Sequence, residues 1–371
     1  MKTRILKAAE PGGSDEAVRQ AAEALAAGSL VVFPTETVYG VGASAADPKA
    51  LEALRRLKER PAGKPFTLHL ADPEEAPRYA GPLSPLTRRL IRRAWPGPLA
   101  LVVPDRRQSA GPSGSPIQER VYWQGTVGLR CPRHALGRAI LRAAGVPVVA
   151  SSANRAGGPP PRHAQEAVAQ LDGRVALIVD AGPTQYARPS TVVRIHEDDS
   201  YRLLREGAIT ARRVERLART RILIICTGNL CRSPMAVGLV AKALAERFGC
   251  EPQEVADRGI ELAGAGTGAT DGIPASANAV QAMDERGIDI RDHRSQPMTV
   301  DTLLAADYIW VMTRHHLEAV GRLAPEVRER ACLIDPEGRD VADPLGGDVE
   351  TYRACARRIE EAVVRRVQEI V

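Results

Sequence analysis

The chain reads as an α/β protein in two parts, a mixed-sheet N-terminal half followed by a doubly wound, parallel C-terminal half. Three observations predict this. Short β-rich runs alternate loosely with helical periods up to about residue 205. A basic helical stretch, ITARRVERLART (209–220), then interrupts the pattern. Beyond it strands and helices alternate strictly. A length of 371 residues also fits two domains at about 150 residues each.

The elements follow in order. Residues 14–27 form a helix, with Ser14 as N-cap and Gly28 as stop, and SLVVFPT is a short strand. Helices are expected at 48–57, 85–95, 136–144 and 165–171. FTLHLA, LALVVP, TVGLRC, VPVVASS, VALIVDA and STVVRI read as strands. Their imperfect alternation with the helices predicts a mixed sheet. In the second half, RILIIC is a buried strand, and Ser233-Pro234 is an N-cap and N1 pair that opens a helix. A helix at 275–286, strand YIWVMT, a helix at 315–323, strand ACLID and a final helix from Val349 complete a parallel β/α pattern. The boundary falls near residue 215, giving domains 1–212 and 220–371 with no shared repeat.

Composition excludes several classes. An apolar fraction of 44% is ordinary for a globular chain, and no apolar run is long enough to span a bilayer. The opening MKTRILKAAEPGGSDEA has no signal-peptide core, so the expectation is a cytoplasmic protein with no membrane partner. Six cysteines are too few for a disulfide scaffold, and without a CxxC pair no structural metal site is expected. The net charge of +6 is dispersed in pieces such as TRRLIRRAW, which read as solvated helix faces of a kind that attracts RNA weakly.

The stretch CTGNLCRSP carries the first site. Cys226 ends a strand, a helix begins a few residues later, and Gly228 and Asn229 let the backbone curl between them. Amide N–H groups and the helix dipole converge there, a field that favours an anion and a thiolate. Arg232, six residues after Cys226, can hold two phosphoryl oxygens with its planar fork. Nucleophile and cradle together suit attack on phosphorus.

From about Arg221 onward, this stretch resembles the low-molecular-weight protein tyrosine phosphatase family, which includes bacterial arginine phosphatases. AGTGA (265–269) and HRS (293–295) fit the same pattern. The resemblance implies that fold, a phosphocysteine mechanism with no cofactor, and catalysis by Cys226, Arg232 and Asp343. Asp343, in DPLGGDVETY, is the implied general acid. Ser233 would hydrogen-bond the thiolate, with Gly228 and Asn229 supporting the loop. Cys231 is implied to form a reversible disulfide with Cys226; its plain alternative is a small packing residue, as are Cys250, Cys332 and Cys355. Implied substrates are phosphorylated proteins or small phosphate esters. Leu345 and the DPLGGDVETY tail point to phosphoarginine, whereas a bulky Leu230 points to phosphotyrosine.

In the first half, polar clusters stand at strand ends: PTETVYG, LKERPAGKP, VGLRCP, ASSAN, RPSTVV and LLREGAI. Cationic side chains from separate loops can neutralise a triphosphate while Ser and Asn give directional hydrogen bonds. Over Leu6–Ile209 their order, with WPGPL, resembles the YrdC-like threonylcarbamoyl-AMP synthase family. That family joins L-threonine, bicarbonate and ATP into threonylcarbamoyl-AMP with release of pyrophosphate, for modification of adenosine 37 in tRNA. The resemblance implies ATP contacts from Lys58, Arg60, Lys64, Ser152, Asn154 and Arg205, and threonine contacts from Thr35, His69, Arg130 and Ser190. ATP would come with Mg2+, and the product would pass to the tRNA threonylcarbamoyl transferase complex. Two rival readings stand beside the bifunctional enzyme: an N-terminal RNA-binding module without synthase activity, and a C-terminal regulatory interaction domain.

Overall fold

A computed structural model describes residues 2–8, 13–61, 64–107 and 121–370. It divides into two compact units, Met1–Ala218 and Arg219–Val371. Ala62 and Gly63 of the KERPAGKP motif lie outside the described residues.

The first unit contains β1 (Arg4–Lys7), α1 (Gly13–Ala26), β2 (Val31–Phe33), β3 (Gly40–Ser44), α2 (Pro48–Leu57), β4 (Thr67–His69), α3 (Ala76–Ala80), α4 (Pro85–Ala94), β5 (Leu99–Pro104), β6 (Tyr122–Trp123), β7 (Thr126–Arg130), α5 (Ala135–Ala143), β8 (Val148–Ser152), α6 (Ala164–Leu171), β9 (Leu177–Asp180), β10 (Thr191–Ile195), β11 (Tyr201–Arg205) and α7 (Ala211–Ala218). Its strands form one sheet in the order β1-β9-β2-β3-β8-β4-β7-β5-β10-β11, with β6 paired to β7. The sheet is mixed, as the imperfect alternation predicts. β4 and β7 run parallel, as do β5 and β10, while β3 and β8 or β5 and β7 run antiparallel.

Local rules account for the helices. The Asp47 carboxylate accepts from the Lys49 amide, Pro48 opens α2, and Leu51, Leu54 and Leu57 bury one face. Ser84 does the same for α4 by accepting from Thr87. β3 has no strand signature in the sequence because GVGAS reads as a turn. Yet all five of its residues are buried, and a Cβ at Gly42 would come within 2.8 Å of the Phe33 ring. Along β10 the period of two is strict. Thr191, Val193 and Ile195 are fully buried, whereas Ser190, Val192 and Arg194 line a cavity on the other face.

The second unit contains β12 (Thr220–Cys226), α8 (Arg232–Phe248), β13 (Ile260–Gly266), α9 (Ala277–Asp284), α10 (Val300–Ala305), β14 (Tyr308–Val311), α11 (Arg314–Leu323), β15 (Ala331–Leu333) and α12 (Val349–Val367). Its four strands lie in the order β13-β12-β14-β15, all parallel, as a doubly wound sheet requires. β12 is central, and Ile222, Ile224 and Ile225 on it are buried. The expected helix start is corrected. α8 begins at Arg232 with Cys231 at the N-cap, so Ser233 and Pro234 lie inside the first turn. A proline is tolerated there because first-turn amides have no intrahelical acceptor. The Ser233 hydroxyl, left free of capping, turns to the cysteine loop. β13 escaped the sequence reading because IELAGAG looks like a loop. Its glycines permit close approach: a Cβ at Gly266 would sit 2.4 Å from the Thr227 carbonyl oxygen.

Candidate functional site

β12 delivers Cys226 to the C-terminal edge of the parallel sheet, and the loop 227–231 wraps over it before α8 begins. The left-handed turn falls on Asn229 (φ 55°), which the sequence allows, and not on Gly228. This turn aims the Asn229 amide at the Cys226 Sγ, 3.3 Å away. Ser233 Oγ lies 3.0 Å from the same sulfur. Asn229 Nδ2 donates to Ser233 Oγ at 2.7 Å, leaving the hydroxyl proton for the sulfur. Two donors thus converge on Cys226, the arrangement that stabilises a thiolate. Asn229 is itself locked. Its Oδ1 accepts from the Gln296 amide at 2.9 Å, and its carbonyl oxygen faces His293 Nε2 at 2.7 Å.

Arg232 is 3% exposed. It donates from Nη1 to the Val341 carbonyl at 3.1 Å, and from Nη2 to Thr227 Oγ1 at 3.0 Å and to the Asp343 carboxylate. Its Nε–H is buried and has no partner. Arg232 and Asp343 thus share one set of hydrogen bonds, and Cys226 belongs to a second set with Asn229 and Ser233 on the same loop. Cys231 Sγ contacts Tyr352 Oη at 3.2 Å and Ser276 Oγ at 3.4 Å, and both loop cysteines are free thiols. Leu230 packs against the core, while Leu345 is 66% exposed. His316, which the sequence reading did not single out, lies 3.0 Å from Thr227 Oγ1 through Nε2. Burial, aided by the facing Arg232, pushes its pKa down to about 4, so the ring is neutral at pH 7.

The first unit holds a cavity of about 440 Å³ on one face of the mixed sheet. Of the predicted residues, Thr35, Arg60, Lys64, His69, Arg130, Ser152, Ser190 and Arg205 line it. Lys58 and Asn154 do not. Lys58 Nζ donates to the Ser152 carbonyl (2.9 Å), the Asn154 carbonyl (2.7 Å) and Asn154 Oδ1 (2.9 Å), clasping the loop that carries Ser152. Burial pushes its pKa down to about 8.

Arg130 is preset by an acid the sequence reading missed. Its Nη2 donates to Glu36 Oε1 at 2.9 Å and to Thr37 Oγ1 at 2.8 Å, with both ion-pair partners buried. Arg205 donates through Nε and Nη2 to the Ser190 carbonyl, and the Arg60 guanidinium lies 4.7 Å over the Phe66 ring. A further cation, Arg194, lines the cavity with its Nε–H buried and unpartnered. Period-two reading of STVVRI from Ser190 would have found it. Arg60, Lys64, Arg130, Arg194 and Arg205 thus face a cavity whose described lining has no acidic side chain, a wall suited to a polyanion. Among the described residues no His, Cys, Asp and Glu cluster could hold a metal ion.

His69 donates from Nδ1 to the Thr67 carbonyl at 3.1 Å, and burial together with Arg130 pushes its pKa down to about 3.

These features define a two-unit α/β protein, with a basic pocket in the first unit and a cysteine–arginine loop in the second. The family model Sua5/YciO/YrdC, described as telomere recombination, matches residues 23–207. The low molecular weight phosphotyrosine protein phosphatase model matches residues 221–370. A putative threonylcarbamoyl-AMP synthase of Mycobacterium tuberculosis is 35% identical over 57% of this chain and 94% of its own length. The threonylcarbamoyl-AMP synthase of Bacillus subtilis is 39% identical over 54% of this chain and 56% of its own. The match thus spans about half the length of that relative and of the Pyrococcus abyssi synthase. A solved Sua5 variant of P. abyssi shares the fold, with 24% identity, TM-score 0.51, and coverage of 78% of this chain and 90% of its own. The chain belongs to the Sua5/YciO/YrdC family and carries a low-molecular-weight phosphatase domain fused behind it. No helix among the described residues is long and apolar enough to cross a membrane.

The neutral His69 makes a pH prediction. Unfolded histidine takes up a proton near pH 6.5, whereas the folded ring resists until about 3. Its contribution to stability is full above pH 6.5 and is lost as pH falls towards 3. Between pH 7 and 4.5, the thermal midpoint of the N-terminal unit falls further in the wild type than in His69→Gln. Equal falls would remove His69 as the titrating group.

Proposed function

We propose that the chain is a bifunctional enzyme, with a threonylcarbamoyl-AMP synthase in residues 1–212 and a cysteine-dependent protein phosphatase in residues 220–371. The synthase reading is carried by the cavity that gathers five basic side chains beside Thr35, His69 and Ser190. In this reading L-threonine's amine captures bicarbonate as a carbamate, with loss of water. A carbamate oxygen then attacks the α-phosphorus of ATP, and pyrophosphate leaves. Arg130, with its buried Nε–H, receives the threonine carboxylate, while neutral His69, Thr35 and Ser190 surround the rest of the amino acid. Arg60, Lys64, Ser152 and Arg205 hold the phosphates, with Lys58 and Asn154 acting behind Ser152. The described lining has no carboxylate, so Mg2+ would be carried by the triphosphate itself. Catalysis is positioning plus charge neutralisation. The product serves tRNA modification at adenosine 37 through the transferase complex. Concentration of the basic side chains in a cavity favours this over an RNA-binding module.

The phosphatase reading is carried by the convergence of Asn229 and Ser233 on Cys226 beside a buried Arg232. The Cys226 thiolate attacks phosphorus, and Asp343 protonates the leaving group. Water then cleaves the phosphocysteine with Asp343 taking its proton, releasing inorganic phosphate. Arg232 holds the equatorial oxygens, and its unpartnered Nε–H is one donor for them. Cys231, which already contacts Tyr352, is the partner for a reversible disulfide with Cys226 under oxidation. Phosphorylated protein side chains, tyrosine or arginine, are the substrates.

Pyrophosphate release from ATP is expected to require both threonine and bicarbonate; release indifferent to threonine would end the synthase assignment. Cys226→Ser abolishes hydrolysis of an aryl phosphate and leaves adenylate synthesis unchanged, measured on the same preparation. Parallel loss of both activities would refute two independent sites. Leu230→Thr raises the ratio of phosphoarginine to phosphotyrosine kcat/KM, read with matched peptides. An unchanged ratio would clear Leu230 of any part in selectivity.

A further inference from the structure

The phosphate loop is joined to α11 by a chain of hydrogen bonds that no step above uses. Thr313 caps α11, its Oγ1 accepting from the His316 amide at 3.4 Å and lying 2.9 Å from His316 Nδ1. His316 Nε2 lies 3.0 Å from Thr227 Oγ1, and Thr227 Oγ1 lies 3.0 Å from Arg232 Nη2. His316 is 2% exposed.

Proton directions along this chain follow from the tautomer of the neutral ring. A guanidinium only donates, so Thr227 Oγ1 accepts from Arg232. In the tautomer protonated at Nδ1, Nε2 is bare and takes the single hydroxyl proton of Thr227. The imidazole proton sits on Nδ1 and goes to Thr313. Each group has one role, and Arg232 Nη2 meets an oxygen whose lone pair is held towards it. Without the ring as acceptor, the Thr227 proton has no partner in this chain and can rotate towards Arg232. Donor then faces donor, and the guanidinium is pushed from its position between Thr227 and Asp343.

We propose that His316 is a positioning residue for the phosphatase reaction, orienting the Thr227 hydroxyl so that Arg232 stays in its phosphate-binding pose. The proposal rests on the phosphatase reading for its function, but its geometry concerns anion binding alone. Glutamine can present a carbonyl oxygen where Nε2 stands, whereas alanine cannot. Thr227→Val keeps the shape of Thr227 and removes the hydroxyl.

The test uses the full chain and two readouts: kcat/KM for an aryl phosphate, and calorimetric affinity for inorganic phosphate. His316→Ala is expected to lower kcat/KM and phosphate affinity each by about tenfold or more. Thr227→Val should do the same, and His316→Gln should recover to within about threefold of wild type. Thermal midpoints of all variants separate this from instability, because a structural role lowers the midpoint without changing phosphate affinity of the folded fraction. Unchanged phosphate affinity in His316→Ala, or a His316→Gln variant as impaired as alanine, would overturn the proposal. A wild type that binds phosphate but hydrolyses no ester would sink the phosphatase reading instead, and the affinity comparison would still decide the role of His316.

Discussion

A buried guanidinium must be met by acceptors, and this constraint organises both units. Arg130 is held by Glu36 and Thr37, and Arg232 by the Val341 carbonyl, Thr227 and Asp343. Removing one partner of such a group costs more than the pair contributes, because a charge is left uncompensated. Arg130, Arg194 and Arg232 nevertheless each keep a buried Nε–H with no partner. An orphaned buried donor costs roughly 1–3 kcal/mol, so each one calls for a partner such as a water, an ion or a ligand oxygen. These three donors face the two sites described above, while other buried atoms without a partner among the described residues, such as Thr184 Oγ1 and Asp199 Oδ1, lie elsewhere.

The sheets supply the rigid platforms. In the first unit the cavity floor is one face of strands whose other face is core, so Ser190, Val192 and Arg194 are presented by the same alternation that buries Thr191, Val193 and Ile195. In the second unit the site stands at the C-terminal end of a parallel sheet, where backbone amides and a helix start converge. Close approach matters there. A Cβ at Gly264 would come within 2.6 Å of Asn229 Nδ2, so the bare backbone of β13 is what lets Asn229 reach Ser233.

Much of this was legible in the sequence. The run RILIIC followed by a short polar loop and a helix placed Cys226 at the end of a strand, and the helix expected at 48–57 is α2 with the same bounds. Glycine-rich strands β3 and β13 were illegible, because their stability comes from neighbours packed against bare backbone and not from their own propensity. Ser233-Pro234 misplaced the helix start because capping preference is local, whereas the Ser233 hydroxyl is claimed by Cys226 and Asn229. Lys58 reads as a free cation; its three carbonyl and amide acceptors arrive from residues 152 and 154.

By itself the sequence determined the chemistry on hand: a thiol and a guanidinium bracketing a strand-to-helix loop, and basic and hydroxyl groups at strand ends, since residue type and local periodicity are properties of adjacent positions. Only the tertiary structure decided which partner each group takes. Glu36 reaches Arg130 across 94 positions, His316 reaches Thr227 across 89, and Gln296 reaches Asn229 across 67. Hydrogen bonds act over about 3 Å, so such pairings exist only once strand order and helix packing have brought those segments together.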